Sequence, residues 1–243
     1  MPTGACNPTL CPIHGARLFD APQVPITVAT LATLDSAAAR ALARAVATEG
    51  IVLLQNQNIG RKPALPLALG AGKTVAIIGP LANDTNGQFG GYTSPGAAVH
   101  TVLGSAVAAL PDGTKVIHAR GCDVTGNDTA GFAAALEAAA SADVVIAVVG
   151  DTGGVGWDVP TCGEDDDRTQ LDLPGMQPEL LAAVAAKLAL GTPLVVVLIH
   201  GRPVSFVRHQ LYGNGDIVFF WRFPPLFPRI SRPRALYSTK HPC

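Results

Sequence analysis

Short, uninterrupted apolar runs alternate with alanine-rich stretches along most of this chain, and that alternation limits the folds open to it. Residues 74–78, 143–149 and 193–199 are almost entirely aliphatic. Runs of this length and composition are typical of strands buried on both faces of a sheet. Stretches of about 10–15 residues with helical character separate them, as in crossovers between parallel strands. The sequence therefore predicts an α/β fold: a doubly wound, mostly parallel sheet flanked by helices.

Further elements are predicted around these runs. Strands are expected at 51–54 and 115–119. Asp35 or Ser36 can cap a helix that runs to about Thr48, with apolar side chains along one face. That face consists of Ala38, Leu42, Ala45 and Val46. The remaining helices are predicted over 97–109, 127–140 and 177–190.

Composition divides the chain into three parts. Residues 1–33 carry turn formers and little periodicity, and residues 34–206 hold the predicted α/β domain. After residue 206, prolines recur too often for a helix or a central strand. Residues 217–221 could be a strand, yet nothing after them supports one. We therefore expect 207–243 to be a divergent, poorly ordered tail, which leaves the sheet incomplete at its C-terminal end. A basic partner-binding arm is the alternative.

Charge and cysteine content exclude several classes of function. The formal net charge of −1 argues against broad electrostatic binding to nucleic acid or to an anionic membrane. No apolar run approaches the length of a membrane-spanning helix, which is about 18 residues. Residues 1–23 lack the hydrophobic stretch of a secretory signal. The sequence does not indicate where the protein is localised. The five cysteines complete no zinc pattern. We expect no metal, no organic cofactor, no nucleic-acid partner and no membrane partner.

The most informative motif lies at 162–177, between the apolar run 143–149 and a predicted helix. It contains the spacing Gly-Glu-x-x-Asp-Arg-x-x-Leu-x-Leu-Pro-Gly-x-Gln. Its carboxylates are thereby placed at the carboxyl end of a strand, where open α/β sheets keep their ligand sites. The motif resembles the acid/base loop of glycoside hydrolase family 3. In that family the glutamate protonates the leaving glycosidic oxygen, so the resemblance implies that Glu164 is the general acid/base.

The charges around Glu164 suit an acid. Asp165, Asp166 and Asp167 disfavour its ionised form by like-charge repulsion. Arg168 can offset that repulsion, and we expect it to pair with Asp167 and so to support the loop. A solvated acidic loop is the ordinary interpretation of a carboxylate cluster that has no family match. A calcium site is disfavoured because the EF-hand spacing and its glycine are absent.

Other segments resemble the same family in the same order. The resemblance covers about residues 15–206, and the stretch 87–95 favours the β-xylosidase-like branch over the plain β-glucosidases. Each segment alone is a weak signal, and the set is specific. The matching segments are 17–20, 47–56, 65–67, 75–82, 121–122, 142–143 and 195–203.

The resemblance implies a larger parent enzyme. In family 3 a (β/α)8 barrel supplies the nucleophilic aspartate and most sugar-binding groups, and the α/β domain brings the acid/base over that pocket. Residues 15–20 resemble the exit from the barrel, so residues 1–33 are interpreted as a remnant of that exit and a linker. No nucleophile motif is present. The implied function is that of a fragment of a retaining β-glycosidase, whose substrate is a β-xylosyl or β-glucosyl oligosaccharide or glycoside.

Two interpretations of another class stay open. The fragment could be a non-catalytic sugar-binding or interaction module. Alternatively, the glycine-rich stretch 150–156 follows a strand, as in a Rossmann-like nucleotide binder. That stretch is not Gly-x-Gly-x-x-Gly, however, and it lacks the Lys-Ser/Thr of a phosphate loop. Beside it, Trp157 could either stack on a sugar or pack in the core.

Overall fold

The computed structural model describes most of the predicted α/β domain and short parts of its flanks. The described residues are 28–31, 33–56, 58–59, 62–88, 99–153, 160–163, 167–205 and 217–222. Contacts divide the chain into two units, residues 1–46 and 47–243. The three-part division of the sequence at 33/34 and 206/207 stays a prediction.

Helices and strands alternate between residues 102 and 199. The described helices are α1 (Val28–Leu31), α2 (Ala37–Glu49), α3 (Val102–Ala109), α4 (Phe132–Ala140) and α5 (Gln177–Lys187). The described strands are β1 (Ile51–Asn56), β2 (Asn58–Ile59), β3 (Lys62–Pro63), β4 (Thr74–Ile78), β5 (Lys115–Ala119), β6 (Val144–Gly150), β7 (Leu194–Ile199) and β8 (Ile217–Arg222).

Six of these strands form one sheet in the order β1-β8-β7-β6-β4-β5. Each neighbouring pair from β8 to β5 is parallel, and β1 pairs antiparallel with β8 at the edge. The strands β2 and β3 form a separate two-stranded ladder. The predicted fold class, a mostly parallel sheet flanked by helices, is therefore confirmed.

The direction of winding reverses at β4. The next strand along the chain, β5, lies on one side of β4, and β6 lies on the other side. Loops that leave the carboxyl ends of β4 and β6 therefore diverge, and the crevice between them is the usual ligand position in open α/β sheets. The acidic motif lies in the chain segment that leaves β6.

Alternate residues of β4 enter two separate apolar clusters, because successive side chains of a strand point to opposite faces. Ala76 and Ile78 belong to a cluster that α4 and α5 cover with Ala135, Leu180 and Val184, among others. On the other side, Val75 and Ile77 pack with Leu81, and α3 adds Val102, Leu103 and Ala106. The helices thus lie on both faces, which explains why the central strands are apolar throughout.

Two helices begin later than their composition predicts. The helix expected from 97 begins at Val102, where the Thr101 side-chain oxygen accepts a hydrogen bond from Gly104 N at 3.0 Å and caps it. The helix expected from 127 begins at Phe132. Its approach is a turn in which Asp128 Oδ1 accepts from Ala130 N at 2.8 Å. Short polar side chains close such turns in competition with a helix.

Two further expectations fail. The apolar face predicted for α2 is not buried: Leu42 is 66% exposed, and no residue of that helix lies in the core. Within the segment expected to be a poorly ordered tail, Ile217–Arg222 form a strand between β1 and β7, so the prediction is wrong for those six residues. β-branched and aromatic residues predominate in β8, which favours a strand there. The rest of 207–243 lies outside the described residues.

Candidate functional site

The predicted site residues fall on the loop that follows β6. Among them, Asp167 and Arg168 are described, whereas Glu164 and Trp157 lie outside the described residues. The described parts of this loop are 151–153 and 160–163, and within them Cys162 packs beside Gly201, which follows β7. The geometry of the site is therefore described from these two parts and from Arg168.

Asp151, the first residue after β6, binds Arg168 in a buried ion pair. Arg168 Nη1 lies 3.0 Å from Asp151 Oδ1, and Nη2 lies 3.4 Å from Oδ2. The Asp151 side chain is fully buried and that of Arg168 is 16% exposed. The pairing of Arg168 with Asp167 that the sequence predicts is wrong. Asp167 is exposed and can be hydrated by water, whereas a carboxylate buried at a strand end requires a cationic partner.

The same carboxylate also holds the other side of the loop. The Thr161 hydroxyl lies 3.2 Å from Asp151 Oδ1, and its oxygen accepts from Thr152 N at 2.9 Å. The backbone supports this contact, because Thr161 N donates to Thr152 O at 2.7 Å. Thr161 precedes Glu164 by three residues and Arg168 follows it by four. Asp151 therefore contacts the chain on both sides of the predicted acid/base.

Burial raises the pKa of the Asp151 carboxyl above its ordinary value. The charge of Arg168 and the hydrogen bond from Thr161 oppose part of that rise, and Arg202 and His200 act in the same direction as Arg168. Basic side chains from two segments thus act on one carboxylate. Among the described residues the Asp151 carboxylate contacts Arg168 and Thr161, so it can hold these two parts of the loop in place.

Gln177 fastens the far end of the motif to the end of β6. This side chain is completely buried at the first residue of α5. Its Oε1 accepts from Gly150 N at 2.8 Å, and its Nε2 donates to Gly150 O at 2.9 Å. The same Nε2 lies 3.1 Å from both Val124 O and Pro174 O. The glutamine that ends the motif therefore joins three segments by side-chain hydrogen bonds.

The chain that follows β7 forms the neighbouring wall of the site. His200 is buried and its Nδ1 is hydrogen-bonded to Arg202 O. Burial lowers the pKa of the His200 imidazole. Cys162 is buried against this wall: a Cβ at Gly201, or one at Gly153, would lie 3.1 Å from its Sγ. Burial raises the pKa of that thiol, which makes it an inert packing group.

Two polar atoms beside the acidic loop, Thr152 Oγ1 and Arg168 Nε, are buried without a hydrogen-bond partner among the described residues. A Cβ at Gly87 would lie 3.1 Å from Thr152 Oγ1, so the loop after β4 closes on the loop after β6 at this point. The site consequently spans the crevice at which the winding of the sheet reverses.

Other classes of site find no support among the described ranges. Within them, no group of three or more His, Cys, Asp or Glu side chains could hold a metal ion. The helices described here also include none that is long and apolar enough to span a bilayer. His118 lies in β5, with its Nδ1 2.9 Å from Ile77 O.

Sequence reasoning did not assign a role to Asp151, Thr161 or Gln177. Asp151 could have been found as the polar residue that directly follows a buried parallel strand, the position at which such sheets keep their sites. Gln177 could have been found from its place in the motif. The contacts of Thr161 depend on the fold of the loop, and no local sequence signal indicates them.

Comparison with known proteins supports the resemblance to glycoside hydrolase family 3. The family model described as the glycosyl hydrolase family 3 C-terminal domain matches residues 51–214. A β-xylosidase from Formosa agariphila is 35% identical over 194 residues, which cover 77% of this chain and 25% of that protein. A periplasmic β-glucosidase from Salmonella typhimurium is 34% identical over 191 residues, which cover 69% and 23% respectively.

The three-dimensional fold agrees with that of solved members. The structure of a family 3 exo-β-xylosidase, in complex with a xylobiose aziridine activity-based probe, superposes with a TM-score of 0.60 at 30% identity. The superposition covers 76% of this chain and 22% of the exo-β-xylosidase. The chain thus spans a quarter or less of the length of these relatives. From the extent of the family match and the shared fold, the chain belongs to the glycosyl hydrolase family 3 C-terminal domain family.

Proposed function

We propose that this chain is the acid/base-bearing part of a retaining β-glycosidase that hydrolyses β-xylosides or β-glucosides. The observation that carries the proposal is the position of the motif within a chain of this family. The segment that contains Glu164 is bounded by Thr161 and Arg168, and Asp151 holds both at the carboxyl edge of the sheet. The names of the relatives, β-xylosidase and β-glucosidase, define the proposed substrate class.

Retention of configuration requires two carboxyl groups roughly 5–5.5 Å apart. One attacks the anomeric carbon, and the other first protonates the leaving oxygen and then activates water. We assign the second role to Glu164. The nucleophile would come from a (β/α)8 barrel outside this chain, since this chain covers only a quarter or less of its relatives. No organic cofactor takes part in this chemistry.

The neighbours of Glu164 support its role as an acid. The carboxylates of Asp165, Asp166 and Asp167 favour its protonated form by like-charge repulsion. The described member of that group, Asp167, is exposed. Arg168, which could have cancelled the repulsion, is instead committed to Asp151. An acid that keeps its proton near neutral pH is what protonation of a glycosidic oxygen requires.

The proposal is tested in a chimera in which this chain replaces the corresponding segment of the Formosa agariphila β-xylosidase. Substrates are aryl β-xylosides whose leaving groups differ in pKa. We expect Glu164→Gln to lower kcat/KM about 10²–10⁴-fold for poor leaving groups, because these need the proton. Activated leaving groups, which depart without protonation, should lose far less.

Asp143→Asn is the matched control, since Asp143 lies before β6, at the opposite end of the strand from Asp151. It should leave kcat/KM for both classes of substrate as in the parent chimera. An equal loss across all leaving groups in Glu164→Gln would overturn the assignment of the general acid. A chimera without hydrolase activity, together with binding of xylobiose by the isolated 243-residue chain in calorimetry, would favour the non-catalytic module.

A further inference from the structure

We propose that Asp151 is the positioning residue that fixes Glu164 for proton transfer, through simultaneous contacts with Thr161 and Arg168. The inference rests on the proposed function, because it takes Glu164 as the acid/base. It assigns to Asp151 no contact with the substrate. Its role is to hold both sides of the acidic loop on one fixed carboxylate.

The two contacts converge on a single side chain. Asp151 Oδ1 is shared by Thr161 Oγ1, at 3.2 Å, and by Arg168 Nη1, at 3.0 Å. Between these two residues lies the segment 162–167 with Glu164 in it. A loop whose two sides meet at one group has far fewer accessible arrangements than a loop held on one side. The carboxylate therefore holds Thr161 and Arg168, on the two sides of that segment, at one place.

The anchor is itself rigid. Asp151 N donates to Ile199 O at 2.9 Å, which continues the pairing of β6 with β7 by one residue. The residue before it, Gly150, is held through both backbone groups by Gln177. Sites attached to regular elements hold their geometry more accurately than sites carried by free loops. Asp151 thus transfers the position of a central strand to the loop.

The charge of Asp151 is essential to this hold. Asparagine has nearly the same shape and can still accept from the Thr161 hydroxyl, but it carries no charge. Arg168, 16% exposed, would then be a cation without its counter-ion at this position. Such a group moves towards water when its partner is removed. Asp151→Asn should therefore release the Arg168 side of the loop and leave β6 in place.

The first test uses the 243-residue chain itself and measures hydrogen exchange by mass spectrometry. We expect Asp151→Asn to accelerate exchange in the peptide 161–169 by about tenfold or more, at exchange times too short for β4 and β6, which open only with the whole domain, to exchange. Asp143→Asn is the control: it removes the carboxylate of an exposed ion pair with Lys73, at 2.8 Å, from the opposite end of the same strand. It should leave the peptide 161–169 unchanged.

A second variant covers the case in which Asp151→Asn unfolds the chain. Thr161→Val keeps the shape of the side chain and removes its hydroxyl, without leaving a charge unpaired. It should also accelerate exchange in 161–169. If Asp151→Asn folds and its peptide 161–169 exchanges as in the wild type, the proposal is overturned. If Asp151→Asn does not fold, the same result in Thr161→Val overturns it.

The second test separates positioning from general stability and uses the chimera described above. Asp151→Asn should lower kcat/KM for poor leaving groups by about tenfold or more, because a displaced acid transfers its proton less well. The value of kcat/KM for activated leaving groups should change little, since it reports only the first step and these groups leave without a proton. A merely structural loss would lower kcat/KM for both classes equally. If Glu164→Gln retains full activity, the proposed function fails while the exchange result still stands. If Glu164→Gln fails as expected but Asp151→Asn equals the parent, the positioning role alone is overturned.

Discussion

Gln177 pairs with Gly150 through its side-chain amide much as a neighbouring strand would through its backbone. Its Oε1 accepts from Gly150 N at 2.8 Å, and its Nε2 donates to Gly150 O at 2.9 Å. Gly150 is the last residue of β6 and stands directly before Asp151. The helix α5, which begins at the last residue of the acidic motif, is thereby attached to the end of β6, after which the site begins.

Loss of this pairing should be costly. Gln177→Leu has a similar volume but leaves two buried backbone groups of Gly150 unsatisfied. We expect the free energy of unfolding to fall by about 2–4 kcal/mol, measured by urea denaturation. Gln170→Leu, at an exposed position of the same motif, should change it by less than about 0.5 kcal/mol. Equal stability of the two variants would contradict the role assigned to Gln177.

Gly150 should tolerate no side chain. Its φ is 149°, and a Cβ there would lie 1.7 Å from Ile199 O. Gly150→Ala therefore forces β6 away from β7, and we expect a loss of more than about 4 kcal/mol or failure to fold. Gly191→Ala is the control, since Gly191 has a φ of 84° and open space around it. It should cost only about 1 kcal/mol of conformational strain. Circular dichroism during urea unfolding distinguishes the two, and similar losses would refute the steric argument.

The ion pair between Asp151 and Arg168 should show strong coupling. In a double-mutant cycle of Asp151→Asn and Arg168→Gln, each single variant leaves the other group unpaired. We expect each to cost about 3 kcal/mol, and the double variant to cost about 2 kcal/mol less than their sum. The exposed pair Lys73–Asp143, with side chains 50% and 38% exposed, should show a coupling below about 1 kcal/mol. Additive losses at Asp151 and Arg168 would show that the pair contributes no coupling.

Stability should decrease with acid partly through His200. Burial lowers the pKa of this imidazole below its ordinary value of 6.5, and the Arg202 carbonyl and the Asp151 charge oppose only part of that effect. Below pH 6.5 the unfolded chain therefore binds a proton that the folded chain accepts only at lower pH. The stabilisation is complete above pH 6.5 and is lost as the pH falls through the folded pKa.

The variant His200→Asn isolates this contribution. Its free energy of unfolding should decrease less than that of the wild type between pH 7.5 and pH 5. The control His100→Asn changes an exposed histidine and should keep the wild-type decrease. Parallel curves for His200→Asn and the wild type would remove His200 from the pH dependence.

The central strands were predictable because burial on both faces leaves a continuous apolar run in the sequence. The runs at 74–78 and 193–199 match β4 and β7 to within one residue. By contrast, β8 was not predicted to join the sheet. Its pairing with β1 and β7 is a contact between distant segments, and proline-rich flanks mask it in the sequence.

For the site, the motif located the loop and not its contacts. Arg168 was expected to bind the carboxylate next to it in sequence, yet it binds Asp151 because that carboxylate is the buried one. Burial is a tertiary property, and the spacing of charges along a chain does not encode it. The role of Glu164 rests on the family resemblance and stays a prediction. The same holds for Trp157.

The order of the strands also determines how this sheet can be assembled. Among the described strands, β1 pairs with β8 alone, and β8 comes last in the chain. During synthesis residues 51–56 therefore leave the ribosome long before residues 217–222, and they stay without their partner until that strand has been made. Four successive residues of β1, Ile51 to Leu54, are between 42% and 52% exposed even in the finished sheet. A nascent chain thus carries an apolar strand with unpaired edges, and this is the segment through which two such chains would first associate.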